Sequence, residues 1–107
     1  MGGKVIVISS RAEYDEKIKG HSGLVVIDFT ATWCGPCRRI GPVFEKLSEE
    51  EGSVLFLKVD VDEQQEIAAA EGISAMPTFY FYKNAEKVDD MCGASEAKLR
   101  EMVAKHK

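Results

Sequence analysis

The chain has 107 residues, of which 45% are hydrophobic and 30% charged, and its formal net charge is −4. These values predict one domain, residues 1–107, that can bury a core without a metal or structural disulfides. The acidic balance and the lack of a Lys/Arg cluster argue against nucleic acid and anionic membranes as partners. The sequence shows no secretory signal, lipidation motif or membrane-spanning apolar run, so we expect a cytoplasmic monomer.

The first predicted elements alternate between strand and helix. Residues 5–8 form a short apolar run and predict a strand. Ser10-Arg11-Ala12-Glu13 is a capping box that opens a helix, and Gly20 can close it. The nearly continuous apolar run 24–30 predicts a strand that is buried on both faces.

A long helix is predicted after the segment Cys34 to Cys37, since apolar side chains recur there on one helical face. Pro42 should kink this helix, and Gly41 before it should weaken the helix by about 1 kcal/mol relative to Ala. Gly52 should end it.

The second half of the chain continues the pattern. A buried strand over 54–60 precedes a short helix that Asp62 can cap, that runs through Ala70 and that Gly72 can stop. Strands over 78–82 and 87–92 form a hairpin, and Ser95 caps a final helix. The order β-α-β-α-β-α-β-β-α predicts an α/β fold with a central mixed sheet of about five strands flanked by four helices.

Two of the three cysteines, Cys34 and Cys37, form a Cys-x-x-Cys pair that follows a buried strand and opens a helix. Side chains three apart on a helical turn lie about 5–6 Å apart at Cβ, so a small adjustment closes a disulfide. The helix N-terminus favours a thiolate, which is the attacking form in disulfide exchange. A zinc site is the alternative, but it needs about four ligands, and Cys92, His21 and His106 are not spaced as a second pair. The pattern therefore favours redox chemistry.

Asp28 is the second candidate for chemistry, because its carboxyl group lies in a strongly apolar run. Desolvation should raise its pKa, and a carboxyl group that titrates near neutrality can relay a proton for Cys37. The alternative is an aspartate at a strand end that reaches solvent, and position alone does not decide between the two.

Residues 28–37, with the pattern Asp-Phe-x-Ala-x-Trp-Cys-Gly-Pro-Cys, resemble the active-site signature of thioredoxins. Further matches follow in order at Phe56-Leu57-Lys58-Val59-Asp60, Met76-Pro77-Thr78 and Gly93-Ala94. The resemblance spans essentially the whole chain and implies the thioredoxin fold. The opening Met-Gly-Gly and the segment Thr30-Ala31-Thr32 are most similar to the cytosolic eukaryotic type found in algae and plants.

The resemblance implies a role for each residue of the signature. Cys34 would be the exposed nucleophile that attacks a substrate disulfide, and Cys37, more buried, would resolve the mixed disulfide. Gly35 and Pro36 would set the turn between them. Asp28 would relay the proton, with Lys58 as its partner, although a snorkelling surface lysine is an equally good interpretation of Lys58.

A substrate-binding surface is also implied by the resemblance. Pro77 would be a cis proline that presents the Met76 backbone to an extended substrate, although an ordinary strand-initiating proline is the alternative. A flat, mostly apolar rim around Cys34 would comprise Trp33, Gly35, Pro36, Met76, Gly93 and Ala94.

The implied function is a thiol-disulfide oxidoreductase that reduces protein disulfides and serves electron transport and cell redox homeostasis. No cofactor would be bound. Electrons would come from NADPH through a thioredoxin reductase, or from a ferredoxin-dependent reductase as in some plastid members. Targets would be diverse disulfide-containing proteins such as peroxiredoxins.

The competing hypothesis is an interaction module with this fold whose thiols are incidental. Two other redox classes fit less well. A disulfide isomerase domain would usually carry a His between the cysteines, and a glutaredoxin would more often carry a Tyr near the second cysteine.

Several residues fall outside this scheme. We expect Cys92 to be a small buried hydrophobe, with a regulatory thiol near the substrate groove as the alternative. His21 is typical of a turn, and His106 of a charge at a helix C-terminus.

Two positions depart from the pattern of the family. Thr30 stands where many thioredoxins carry an aromatic residue, so packing beneath the active site should differ. In the turn Lys83-Asn84-Ala85-Glu86, either the turn type is unusual or Ala85 adopts a positive φ at about 1 kcal/mol.

Overall fold

The computed structural model describes residues 4–107. Within them the chain forms five strands and four helices in the predicted order. The elements are β1 Ile6–Val7, α1 Arg11–Gly20, β2 Leu24–Thr30, α2 Gly35–Glu50, β3 Leu55–Asp60, α3 Gln65–Glu71, β4 Thr78–Lys83, β5 Glu86–Cys92 and α4 Glu96–His106.

These strands form one mixed sheet in the order β1-β3-β2-β4-β5. β3 runs parallel to both β1 and β2, while β4 is antiparallel to β2 and to β5. All seven residues of β2 are buried, as the continuous apolar run predicted. The mixed sheet with an antiparallel final pair is therefore confirmed.

Alternation along β2 divides the core into two layers. Leu24 and Val26 point to the face that α2 and α4 cover, where Phe44, Phe79 and Leu99 are buried with them. Val25, Ile27 and Phe29 point to the opposite face, beneath α1 and α3. Asp28 and Thr30 continue the series of Leu24 and Val26, so both lie on the face beneath α2.

Helix termini differ in detail from the sequence prediction. The Ser10 hydroxyl accepts a hydrogen bond from Glu13 N at 3.0 Å, but the Glu13 carboxylate reaches back to Ser9 N at 2.7 Å. The capping box is therefore displaced by one residue. Ser95 caps α4 as predicted, by accepting from Lys98 N at 3.2 Å.

The prediction that Asp62 caps the third helix is wrong. α3 follows Gln64, whose side chain makes no capping bond. The Asp60 carboxylate instead accepts hydrogen bonds from Asp62 N at 2.9 Å and Glu63 N at 3.2 Å, which shapes a turn before the helix. This turn leaves the Asp62 side chain available for the active site.

The remaining differences concern element ends. β1 is shorter than the predicted 5–8, and α2 stops at Glu50 with Glu51 as its C-cap, before Gly52. At the hairpin, Asn84 and Ala85 adopt φ values of 55° and 64°, so the turn takes the left-handed conformation that disfavours alanine. None of the helices within residues 4–107 has both the length and the hydrophobicity needed to cross a bilayer.

Candidate active site

The cysteine pair lies where β2 ends and α2 begins. Cys34 is the N-cap of α2, and its Sγ accepts a hydrogen bond from the Cys37 backbone N at 3.2 Å. The two residues form a disulfide, with their Cα atoms 5.2 Å apart. A sulfur at this position faces unpaired backbone N–H groups and the positive end of the helix dipole. The first turn of α2 therefore stabilises a thiolate at Cys34 once the disulfide opens.

The prediction that Cys34 is exposed is wrong for the disulfide form. Cys34 is only 5% exposed and Cys37 is 3% exposed. The two cysteines form a small buried cluster with Ala31, and Met76 packs against it. Cys34 Sγ lies 3.7 Å from the Met76 carbonyl oxygen. Cys34 is the N-cap of α2 and Cys37 lies within its first turn, so Cys34 is the member of the pair at the very end of the helix.

Trp33 is the prominent apolar feature beside the disulfide, with 64% of its surface exposed. Its indole N–H donates a hydrogen bond to Asp62 Oδ2 at 2.8 Å, which fixes the ring orientation. Sequence reasoning missed this role of Asp62. The available signal was its place just after β3, because parallel neighbours such as β2 and β3 end at the same edge of the sheet.

The other predicted rim residues come from loops on the far side of the disulfide. The Met76–Pro77 peptide bond is cis, and Gly93 N donates to the Pro77 carbonyl at 2.9 Å. Gly93 has a φ of 97°, which a side chain would disfavour. Gly93 is exposed, Met76 and Ala94 are half-buried, and Pro77 is buried. The structure thus brings the predicted substrate-binding residues to one surface around Cys34.

Asp28 lies on the face beneath α2 and is only 2% exposed. Its Oδ1 has no hydrogen-bond partner among the described residues. Burial raises the pKa of the carboxyl group to about 7, and the positive charge of Lys58 opposes this rise without overcoming it. The prediction of a raised pKa is confirmed.

Lys58 is the direct neighbour of Asp28 on β3. Its ammonium group makes no ion pair or hydrogen bond with any residue in 4–107, so the two charges interact at a distance and not by direct contact. Lys58 is half-buried. It also lines an open cavity of about 640 Å³ beneath α2, to which Thr30 and Cys37 contribute.

Cys92 is exposed, so the expectation of a buried hydrophobe is wrong. It is the last residue of β5 and pairs with Thr78, whose Oγ1 lies 3.5 Å from the Cys92 Sγ. Thr78 follows Pro77 directly, so this thiol lies next to the rim. The place of β5 at the edge of the sheet was not apparent from the sequence alone.

Neither histidine belongs to the cysteine site. His21 Nε2 lies 3.1 Å from the Ser53 carbonyl oxygen. His106 Nε2 lies 2.9 Å from Asp89 Oδ2, and its ring packs 6.0 Å from that of Phe81. The prediction of a simple helix-end charge is therefore incomplete. Among residues 4–107, no three His, Cys, Asp or Glu side chains are grouped as a metal ion would require.

Comparison with known proteins gives a consistent result. The family model described as Thioredoxin matches residues 5–105. The chain is 54% identical to a thioredoxin of the H type from Chlamydomonas reinhardtii, over 99% of this chain and 97% of that protein. The solved thioredoxin of Malassezia sympodialis is 50% identical with a TM-score of 0.88, covering 99% of this chain and 92% of that one. The thioredoxin of Nicotiana alata, at 35% identity, has a TM-score of 0.93 with coverages of 100% and 96%.

Proposed function

The chain belongs to the thioredoxin family and is a protein-disulfide oxidoreductase, and from this premise we propose how its own residues divide the reaction. The observation that carries the proposal is the Cys34–Cys37 disulfide at the start of α2. Its first sulfur is the helix cap and accepts the Cys37 N–H, so a negative charge there is stabilised when the disulfide opens.

In the reduced protein, the Cys34 thiolate attacks one sulfur of a target disulfide. The target S–S bond breaks, one target sulfur leaves as a thiolate, and a mixed disulfide forms at Cys34. Cys37 then attacks Cys34 Sγ as a thiolate. The mixed bond breaks, the second target thiolate leaves, and the Cys34–Cys37 disulfide is restored.

Asp28 acts as the proton acceptor for the Cys37 thiol in the second step. Its buried carboxyl group, with a pKa raised to about 7, is half-ionised at neutral pH and can both take and return a proton. Lys58 modulates this group through its charge. The position of Asp28 on β2, beneath the helix that carries Cys37, supports the assignment.

The target chain lies across the rim formed by Trp33, Met76 and Gly93. Exposed apolar surface of this kind suits many protein partners. The Met76 carbonyl group, 3.7 Å from the reactive sulfur, offers an acceptor to an extended backbone.

Family membership supports a proposal for the electron donor, the targets and the compartment. We propose that a thioredoxin reductase returns electrons from NADPH to the disulfide. Peroxiredoxins and other disulfide-containing proteins are the proposed targets. The protein would act in the cytoplasm as a monomer, as an H-type member of the family.

Insulin disulfide reduction, coupled to NADPH through a thioredoxin reductase, tests the assignment. Wild-type protein should reduce insulin, and Cys34→Ser should lose activity entirely. Cys92→Ser is the matched control, because it removes a thiol outside the disulfide and should keep full activity. If the wild type failed even with dithiothreitol as donor, the chain would act as an interaction module with incidental thiols.

A further inference from the structure

Trp33 lies in the short loop between β2 and α2, and 64% of its surface is exposed. A ring that is this exposed has few packing contacts, so hydrogen bonds have to fix the direction in which it points. Two such bonds lie within the loop or on the ring itself. Cys34 N donates to the Ala31 carbonyl oxygen at 3.2 Å, and the indole N–H donates to Asp62 Oδ2 at 2.8 Å.

Arg38 binds the carbonyl group on each side of Trp33. Its backbone N–H donates to the Cys34 carbonyl oxygen at 3.2 Å. Its guanidinium Nη1 donates to the Thr32 carbonyl oxygen at 2.7 Å. Thr32 and Cys34 are the residues directly before and after Trp33. One residue of α2 therefore holds both ends of the segment from which the indole ring projects.

The two bonds from Arg38 place different demands on the sequence. The backbone bond belongs to the helix and forms with any residue other than proline. The side-chain bond needs a long donor that reaches back six residues, and a charged donor makes a stronger bond than a neutral one. Both Thr32 and Arg38 are exposed, so this bond competes with water and contributes modestly. Its loss should loosen the loop without unfolding the protein.

We propose that Arg38 is a positioning residue that holds the Trp33 loop against α2 and thereby favours protein disulfides over small disulfides as substrates. The inference rests on the proposed docking of targets on the rim that Trp33 helps to form. A protein target contacts this rim, and a loop that is already fixed loses less conformational entropy when the target binds. A small disulfide needs only the Cys34 thiolate, so the direction of the ring has little effect on it.

Arg39 provides a matched control within the chain. It is the next residue of α2, it is also exposed, and it carries the same charge. Its guanidinium group makes no hydrogen bond or ion pair within residues 4–107. Neighbouring side chains leave a helix in different directions. Arg39→Met therefore removes the same charge from the same part of α2 without removing a bond to the loop.

The test compares Arg38→Met, Arg38→Lys and Arg39→Met with the wild type. Each protein is first reduced fully and then mixed with either insulin or hydroxyethyl disulfide, a small uncharged substrate. Single-turnover rate constants are measured, so no reductase takes part. Trp33 is the only tryptophan of the chain, so time-resolved fluorescence anisotropy reports the motion of its ring. Thermal unfolding establishes that each variant folds.

Arg38→Met should reduce insulin about two- to tenfold more slowly than the wild type, which is the range expected for the loss of one hydrogen bond. The anisotropy of Trp33 should decay faster, because the loop moves more freely on the nanosecond timescale. The rate with hydroxyethyl disulfide should stay close to that of the wild type. Arg38→Lys keeps a charged donor and should lie between Arg38→Met and the wild type. Arg39→Met should match the wild type in every measurement.

Three results would overturn the inference. Unchanged Trp33 anisotropy in Arg38→Met would show that Arg38 does not hold the loop. Equal slowing with both substrates would show that Arg38 acts on the reactive sulfur, and equal slowing by Arg39→Met would show that only the charge of α2 matters. Trp33→Ala identifies a failure of the proposed function instead. If that variant reduced insulin at the wild-type rate, the rim would not be the docking surface.

Discussion

At the scale of single residues, the buried carboxyl group of Asp28 carries a cost in stability. Its pKa rises from an ordinary 3.8 to about 7 on folding because burial disfavours the charged form. The folded state therefore binds the Asp28 proton more tightly than the unfolded chain does. As far as Asp28 is concerned, the free energy of unfolding is therefore highest below about pH 4. It falls between about pH 4 and 7 and is constant above about pH 7.

Asp28→Asn should remove this dependence, because an amide keeps the shape of the side chain without titrating. Since a tenfold change in an ionisation equilibrium is worth about 1.4 kcal/mol, the variant should gain up to about 4 kcal/mol at pH 8. Near pH 4 it should match the wild type. Urea unfolding at the two pH values measures this, and equal stabilisation at both would contradict the assigned cause.

Cys92 offers a second test at this scale. Because its side chain is exposed on an edge strand, its thiol should react with a thiol reagent while the Cys34–Cys37 disulfide is intact. We expect one reactive thiol per oxidised chain, and none in Cys92→Ser. Mass spectrometry after alkylation of the native protein measures it. Labelling only after denaturation would show that the thiol is buried in solution.

At the scale of elements, the β4–β5 turn carries an avoidable strain. Ala85 adopts a φ of 64°, a region that glycine enters without a Cβ clash. Ala85→Gly should therefore raise the free energy of unfolding by about 1 kcal/mol. The change in the urea midpoint, at constant slope, measures the gain.

Ala104→Gly is the matched control for the turn. Ala104 is an exposed residue within α4, where glycine costs about 1 kcal/mol relative to alanine. The same substitution should thus have opposite signs at the two positions. Destabilisation at both would show that the Ala85 backbone is not strained in solution.

The Glu71 carboxylate links α3 to α1 and β4 on the face of the sheet opposite α2. Glu71, at the end of α3, accepts hydrogen bonds from Tyr14 of α1 at 2.5 Å and from Tyr82 of β4 at 2.8 Å. Tyr80 donates to the Glu71 backbone carbonyl at 2.7 Å. Burial and the nearby carboxylate raise the pKa of both Tyr14 and Tyr82, so both hydroxyls stay protonated as donors.

Tyr14→Phe should destabilise the protein by about 1.5–3 kcal/mol, because a hydrogen bond to a charged group is lost where Tyr14 is buried. Tyr82→Phe should cost less, since Tyr82 is half-buried. Urea unfolding of both variants gives the comparison. An equal or reversed order would show that burial does not set the strength of these bonds.

At the scale of the whole molecule, the sequence predicted the order of elements, the sheet class and the cysteine pair. Hydrophobic periodicity was sufficient for the element order and sheet class, because it reflects local backbone preferences, and the Cys-x-x-Cys spacing was sufficient for the cysteine pair. The errors were of two kinds: caps and element ends that differ by a few residues, and contacts between distant segments. The Asp62 carboxylate binds Trp33, the Cys34 sulfur is covered by Met76, and Cys92 is exposed at the end of β5, an edge strand of the described sheet. Such contacts depend on the assembled sheet and have no signal in local spacing.

The arrangement of β4 and α4 has a practical consequence for attachment. β4 begins at Thr78, on the side of the sheet where the disulfide lies, and ends at Lys83. The Lys83 ammonium group donates a hydrogen bond to the His106 carbonyl oxygen at 3.0 Å. α4 therefore starts beside the rim and ends at the opposite pole of the sheet. A bead or electrode coupled through Lys107 would hold Trp33 outward, toward bulk solution. Material immobilised in this way should continue to process large folded targets, whereas coupling near the rim should block them.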